Sequence, residues 1–235
     1  MPPRPYYNGR YKDQITPYIT SRTAAAHKIG HIAVAPSELP SHDLLSSTLG
    51  PMLRMFQERV DPYYSLRMHP DAHRSGASTL CQVGANDEHF AQQLATRLRM
   101  YRVAAFDAAA TPEGHDAAIR PFNGRDLPLS DLACEVTVFP YMLHKATYGR
   151  LTGRLLAEAR RVTSGYVLIA EDRAGRTAAE NERNAAVDQH GTFRSEREWY
   201  ELLTGAGFEV IVSGPMFAPT APQMYMIARP VNATR

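Results

Sequence analysis

The chain has 235 residues, 44% of them hydrophobic, and a net charge of +2 at neutral pH. That length suits one large α/β domain or one domain with a helical extension. So small a charge argues against nucleic acid as the main partner, and no run of about 18 apolar residues is present to cross a membrane. The opening residues, Met1-Pro2-Pro3-Arg4-Pro5-Tyr6-Tyr7, lack the apolar centre of a secretion signal. The expectation is a cytoplasmic protein. Cys81 and Cys134 each fall in a predicted strand, at a spacing that fits no zinc pattern. They read as two buried thiols in a reducing compartment.

Residues 1–14, rich in Pro and Tyr, read as an arm or lid. Residues 15–35 look helical around Ala24-Ala25-Ala26. His27 and His31 share an i, i+4 face there, but no third ligand accompanies them, so no metal is expected. Pro36 and Pro40 close that region, and Ser41 is a candidate N-cap for a helix over 42–60. Leu44, Leu45, Leu49, Leu53 and Phe56 keep near-helical spacing in it, and Pro51 begins a new helix or kinks this one. Pro62, Pro70 and Gly76 mark a linker over 61–76. Residues 1–76 are thus an N-terminal arm and helical lid region, and 77–235 the main domain.

From 77 onward strands and helices alternate. A strand at 78–83 precedes a helix at 87–99, a strand at 102–107 precedes a Pro/Gly stretch, and a short strand follows at 117–121. A strand at 134–139, a helix at 147–161 and a strand at 165–171 come next. The stretch 173–192 is polar and reads mostly as a solvated loop. Ser195, with Glu198 three residues on, opens a helix to Gly205. Strands at 207–213 and 223–229 form a hairpin. This order predicts an α/β fold: a mostly parallel, seven-stranded sheet with helices on both faces and a C-terminal antiparallel hairpin.

Four stretches carry a family resemblance. Leu80 to Glu88 reads as a strand, a small-residue turn and a helix start, and Asp107 ends the next strand 23 residues after Gly84. Phe122-Asn123-Gly124-Arg125-Asp126-Leu127-Pro128 runs on to Cys134-Glu135-Val136. Leu155 to Val162 leads into Gly165-Tyr166-Val167-Leu168-Ile169, and Trp199 precedes Ala206-Gly207-Phe208. In order and spacing these resemble class I S-adenosylmethionine-dependent methyltransferases, which have a Rossmann-like fold. The small-molecule branch that includes the ubiquinone and menaquinone C-methyltransferases is the most similar. The glycine motif departs from the family: Asn86 and Glu88 replace its second and third glycines, and Gln82 stands where an acid is usual.

The resemblance implies S-adenosylmethionine as cofactor and a small molecule as methyl acceptor. Gly84, Ala85 and Asn86 would form the cofactor turn, and Asp107 would accept hydrogen bonds from the ribose. Asn123 and Gly124 would lie by the adenine, although turn chemistry alone also explains that pair. Phe139 and Leu143 would line the adenosine and sulfonium pocket. His144 is the general-base candidate, with Tyr141 beside it in the same segment; a packed structural histidine is the rival reading. Glu171 and Asp172 end a strand at the same edge and are candidates for substrate contact. Tyr11 and Tyr18, in the tyrosine-rich arm, would close over the substrate, or the arm would meet a second copy or a partner subunit. Two rival functions remain: an inactive methyltransferase-like scaffold or partner-activating subunit, and a nicotinamide-dependent oxidoreductase. The last shares the first strand-turn-helix but leaves Leu127-Pro128 and the terminal hairpin unexplained.

Overall fold

The computed structural model describes residues 49–50, 52–60, 79–84, 94–95, 98, 100, 102–108, 119–145, 150–216 and 222–231. Seven strands are present: β1 (Thr79–Val83), β2 (Arg102–Asp107), β3 (Ile119–Pro121), β4 (Cys134–Pro140), β5 (Thr163–Asp172), β6 (Phe208–Met216) and β7 (Gln223–Pro230). They form one sheet in the order β3-β2-β1-β4-β5-β7-β6. The first five are mutually parallel, and β7 runs antiparallel to both β5 and β6. The expected architecture, terminal hairpin included, is the one observed.

Both faces of the sheet are covered, which is why its central strands are continuous buried runs. All five residues of β1 are buried, as are the last five of β4 and the last six of β5. On one face Leu80, Val136, Val138, Leu168 and Ile227 pack against Leu49, Met52, Leu53 and Phe56 and against Leu94 and Leu98. Residues 52–55 are helical and run into a π-helical turn, Phe56–Val60. The described part of the N-terminal region therefore serves as a layer of the core. Phe56 meets Tyr166 edge to face, ring centroids 5.0 Å apart.

The other face carries α1 (Thr152–Val162) and α3 (Glu196–Gly205). Leu155, Leu156, Ala159 and Val162 recur at helical spacing and bury one stripe of α1 against Val167, Ile169 and Met226. Arg160 and Arg161 sit in its last turn, where the helix dipole favours cations. Arg161 bonds Glu158, Asp131 and the carbonyls of Leu127 and Leu129, fixing the loop before β4. The capping box expected at Ser195 and Glu198 opens α3, whose Trp199 and Leu203 are fully buried.

Two expectations change. The polar stretch after β5 contains a helix, α2 (Ala178–Val187), opened by a Thr177–Glu180 capping box. Its sequence, AAENERNAAV, carries too few apolar residues to show a buried stripe, so periodicity could not reveal it. Cys81 and Cys134 are not separate thiols. They form a disulfide, with Cα atoms 5.8 Å apart, inside the range that geometry requires. The sheet order supplies the reason: β1 and β4 are neighbours, and both cysteines face the same core cluster. Among the described residues no helix is long and apolar enough to cross a membrane.

Candidate active site

Strand order reverses beside β1, which has β2 on one side and β4 on the other. In open α/β sheets the crevice at such a point, at the carboxyl ends of the strands, is where ligands bind. Gly84 leaves β1 there with φ +85°, a conformation that disfavours a side chain. Its amide donates to the Phe106 carbonyl at 2.8 Å, which ties the turn to β2. A Cβ on Gly84 would lie 2.6 Å from Met142 Sδ, so the loop after β4 packs directly on the turn. Ala85 and Asn86 lie outside the described residues.

Asp107 ends β2, half-buried, and its carbonyl accepts from the Phe122 amide at 3.3 Å. That bond draws the Asn123-Gly124 turn to the strand end. The Asn123 side-chain oxygen accepts from the amides of Arg125 (2.8 Å) and Asp126 (2.7 Å). Its amide nitrogen donates to Asp126 at 3.2 Å. The Asn123 side-chain oxygen is thus engaged by its own turn. Gly124, at φ +75°, completes that turn; a Cβ there would meet only ordinary contacts, at 3.9 Å. Hydrogen bonding from Arg154 holds the Asp126 carboxyl below its usual range, against a smaller effect of burial. Gly84 and Asp107 therefore stand at the crevice where strand order reverses, and Asn123 serves as a turn former.

A second cluster lies one and two strands further along the same edge. Tyr141, the residue after β4, has φ +52°, unusual for a bulky residue. Its amide donates to Ala170 O at 2.7 Å and its hydroxyl to Gln223 Oε1 at 3.1 Å. This reversal turns three successive amides toward the Glu171 carboxylate at the end of β5. Met142 N lies at 3.0 Å, Leu143 N at 2.6 Å and His144 N at 3.3 Å. Successive amides cradling an anion form a nest. His144 Nδ1 completes the set, 2.6 Å from Glu171 Oε2. Glu171 is fully buried, and its carboxylate is occupied by this chain.

The other imidazole nitrogen, His144 Nε2, faces Asp172 Oδ2 at 3.5 Å. Gln223 pairs with Asp172 across β5 and β7 and hydrogen-bonds its carboxylate. Phe193 stacks on the imidazole, centroids 5.3 Å apart and planes 21° from parallel, and the Thr192 amide bonds the His144 carbonyl. Burial opposes charge on His144, but Glu171, through attraction and hydrogen bonding, and then Asp172 outweigh it. The imidazole is held above its usual value. Burial, reinforced by Glu171, pushes the Asp172 carboxyl up, against the pull of His144 and Gln223. Arg194 rests on the Trp199 ring at 5.1 Å, and its burial lowers its affinity for the proton.

The fold thus gathers Tyr141, Leu143, His144, Glu171 and Asp172 at one edge, with Gly84 joined to them through Met142. Phe139 and Leu143 are wholly buried within the core on the α1 face. Tyr11 and Tyr18 lie outside the described residues. Sequence reasoning missed Gln223, Phe193 and Met142. Gln223 is 82 residues from Tyr141, so only strand pairing brings them together, and no local signal marks it.

No family model matches the chain, and no curated protein matches it in sequence. Solved structures do resemble it. LepI in complex with SAH and a substrate analogue superposes with TM-score 0.53 at 12% identity, over 91% of this chain and 54% of that one. A SAM-dependent methyltransferase from Methanosarcina mazei gives 0.50 at 13%, over 69% and 98%. A putative Haloferax volcanii methyltransferase, solved with the Trm112 methyltransferase activator, gives 0.50 at 12%, over 75% and 96%. The chain spans about half of LepI and nearly all of the two archaeal chains. The fold is that of the class I S-adenosylmethionine-dependent methyltransferases.

Proposed function

We propose that this chain binds S-adenosylmethionine at the Gly84 turn and transfers its methyl group to a small-molecule acceptor. The observation that carries the reading is a left-handed Gly84 at the end of β1, where strand order reverses, with Asp107 at the end of the neighbouring strand. The cofactor supplies a methyl group on a cationic sulfur with a neutral leaving group. The protein's task is then chiefly to position the partners and exclude water. Asp107 would accept from the ribose, the Gly84 backbone would admit the ligand, and Phe139 and Leu143 would line the adenosine and sulfonium pocket. The N-terminal tyrosines, Tyr11 and Tyr18 among them, would close over the acceptor, or that region would meet a second copy or a partner subunit. Titration calorimetry with S-adenosylhomocysteine tests the reading: Asp107→Ala weakens binding about tenfold, a loss of roughly 1.4 kcal/mol. Unchanged affinity removes Asp107 from the site.

A second reading is a methyltransferase-like scaffold without catalysis. Met142 against Gly84 and the engaged Asn123 oxygen favour it, because both narrow what the crevice offers a ligand. A ligand that binds only the folded state must raise its melting temperature. No thermal shift with millimolar S-adenosylmethionine decides for the scaffold.

A further inference from the structure

The segment 174–193, after β5, is built unlike the rest of the domain. The chain leaves at Arg173 and returns at Arg194, which meet as a parallel bridge, and the Ala174 amide donates to the Arg194 carbonyl at 2.9 Å. Between those points the segment bonds to itself and to its base. The Thr177–Glu180 capping box opens α2, the Gly175 amide donates to Asn181 Oδ1 at 3.0 Å, and the Asn184 side-chain nitrogen donates to the Arg173 carbonyl at 2.8 Å. A Cβ on Gly175 would lie 2.6 Å from Glu180 Cβ, so the chain folds closely on its own helix. Apolar anchoring is what it lacks. α1 buries Leu155, Leu156, Ala159 and Val162, and α3 buries Trp199 and Leu203. Among the described side chains of α2 the buried one is Asn184, and none from 174 to 193 belongs to either apolar cluster of the core. So short a polar helix is not stable by itself in water and persists by being pinned at its ends. Two contacts at the tip reach the body: the Thr192 amide on the His144 carbonyl, at 2.5 Å, and the Phe193 ring on the imidazole, centroids 5.3 Å apart. Next to that tip His144 and Asp172 are 1% and 3% exposed.

We propose that residues 174–193 form a flap that opens and closes as a unit about Arg173 and Arg194, and that its closed position is what seals His144 and Asp172 from solvent. Opening breaks the two tip contacts and leaves the bridge at the base shut. It uncovers little apolar surface, the main term that resists opening elsewhere in the domain. It also lets water reach His144 Nε2, Asp172 Oδ1 and Asn184 Oδ1, which are buried without a partner while the flap is closed. An unmet buried polar group carries its full desolvation cost, so hydration on opening offsets part of the loss. Opening therefore lies well below global unfolding in free energy. The flap covers the carboxyl ends of β4 and β5, the side on which open α/β sheets take ligands, and so it decides when that edge is reached. The inference stands on how the segment is packed and holds whether or not the chain transfers methyl groups.

Amide hydrogen exchange of the full chain, read by NMR, tests the flap without any substitution. The amides of Asn181 and Asp188, bonded within α2, and of Thr192, bonded to His144, report the flap; the Tyr141 amide, bonded to Ala170, reports the sheet. The three flap amides are expected to share one opening equilibrium, at least about 100-fold more open than that of Tyr141. Urea up to about 1 M is expected to leave them unmoved while it speeds Tyr141, because a small opening exposes little surface. Flap amides that follow the rate and urea slope of Tyr141 overturn the proposal. Fast exchange in α2 with Thr192 as slow as Tyr141 also overturns it, as fraying of a helix on a fixed tip. Phe193→Ala is expected to speed all three flap amides by one factor, about tenfold; a change confined to Thr192 shows that tip and helix are not one unit. A thiol reports what the flap covers. Both cysteines of the chain are closed in the disulfide, so Asp172→Cys introduces a single reactive group. Its labelling by iodoacetamide is expected at a rate that urea up to about 1 M leaves unchanged and that Phe193→Ala raises about tenfold. Labelling that rises with urea as steeply as global unfolding shows that the sheet, and not the flap, seals this edge, and overturns the proposal.

Discussion

The two halves of the carboxyl edge are built by different means. The half at β1–β3 is assembled from short-range devices: a left-handed glycine, a strand-end acid and an Asn side chain that folds its own turn. The half at β4, β5 and β7 depends on contacts between residues far apart in sequence, 27 for His144–Glu171 and 82 for Tyr141–Gln223. The first half leaves room for substitution, because a turn tolerates several residue types. The second is a buried charge cluster in which each member compensates another, so loss of one strands the rest.

That contrast sets the order of expected effects. Glu171→Leu strips the His144 ring and three amides of their partner and is expected to cost about 4 kcal/mol in urea unfolding, as for one side of a buried pair. A cost under about 1 kcal/mol would show that the cluster is not a unit. The disulfide crosses the boundary between the halves by stapling β1 to β4. Its loss, in Cys81→Ser/Cys134→Ser, is expected to cost about 4 kcal/mol by chain entropy for a 53-residue separation. Equal stability with and without the bond would make it incidental. Gly84→Val combines a left-handed backbone with a clash on Met142 and is expected to cost about 3 kcal/mol. If Gly84→Val folds as stably as the parent, the turn is not as constrained as its contacts indicate. The smallest effect belongs to the surface: Ser195→Ala removes the α3 cap and is expected to cost about 1 kcal/mol.

Acidity distinguishes the halves as well. The folded-state pKa of His144 is raised above 6.5, so the folded chain binds this proton more tightly than the unfolded one. The stability it contributes is complete below pH 6.5 and is lost as pH rises through the folded-state value. Asp172, raised above 3.8, acts in the same direction from a lower pH. Unfolding free energy is therefore expected to fall as pH rises above 6.5, and His144→Gln is expected to flatten that slope. A slope that persists in the variant assigns it to another group.

Much of this was legible in the sequence. Strand and helix order, the Ser195 cap and the terminal hairpin follow from periodicity and capping chemistry, which act over a few residues. The motif spacing also placed Gly84, Asp107, Tyr141, His144, Glu171 and Asp172 at strand ends. Their roles were another matter. Glu171 and Asp172 are adjacent acids in sequence and both meet the His144 imidazole, one at each ring nitrogen, yet their surroundings differ. One is enclosed by a nest and the other left with an unpaired oxygen. Likewise Cys81 and Cys134 each read as a buried thiol, because nothing local says that β1 and β4 are neighbours. Local chemistry dictated which elements form and where their chemistry-bearing residues end up along each strand. Which of those residues meet was settled by the assembled sheet alone. Pairing between distant strands is a property of the whole sheet, and it fixes burial, charge compensation and the proton's place.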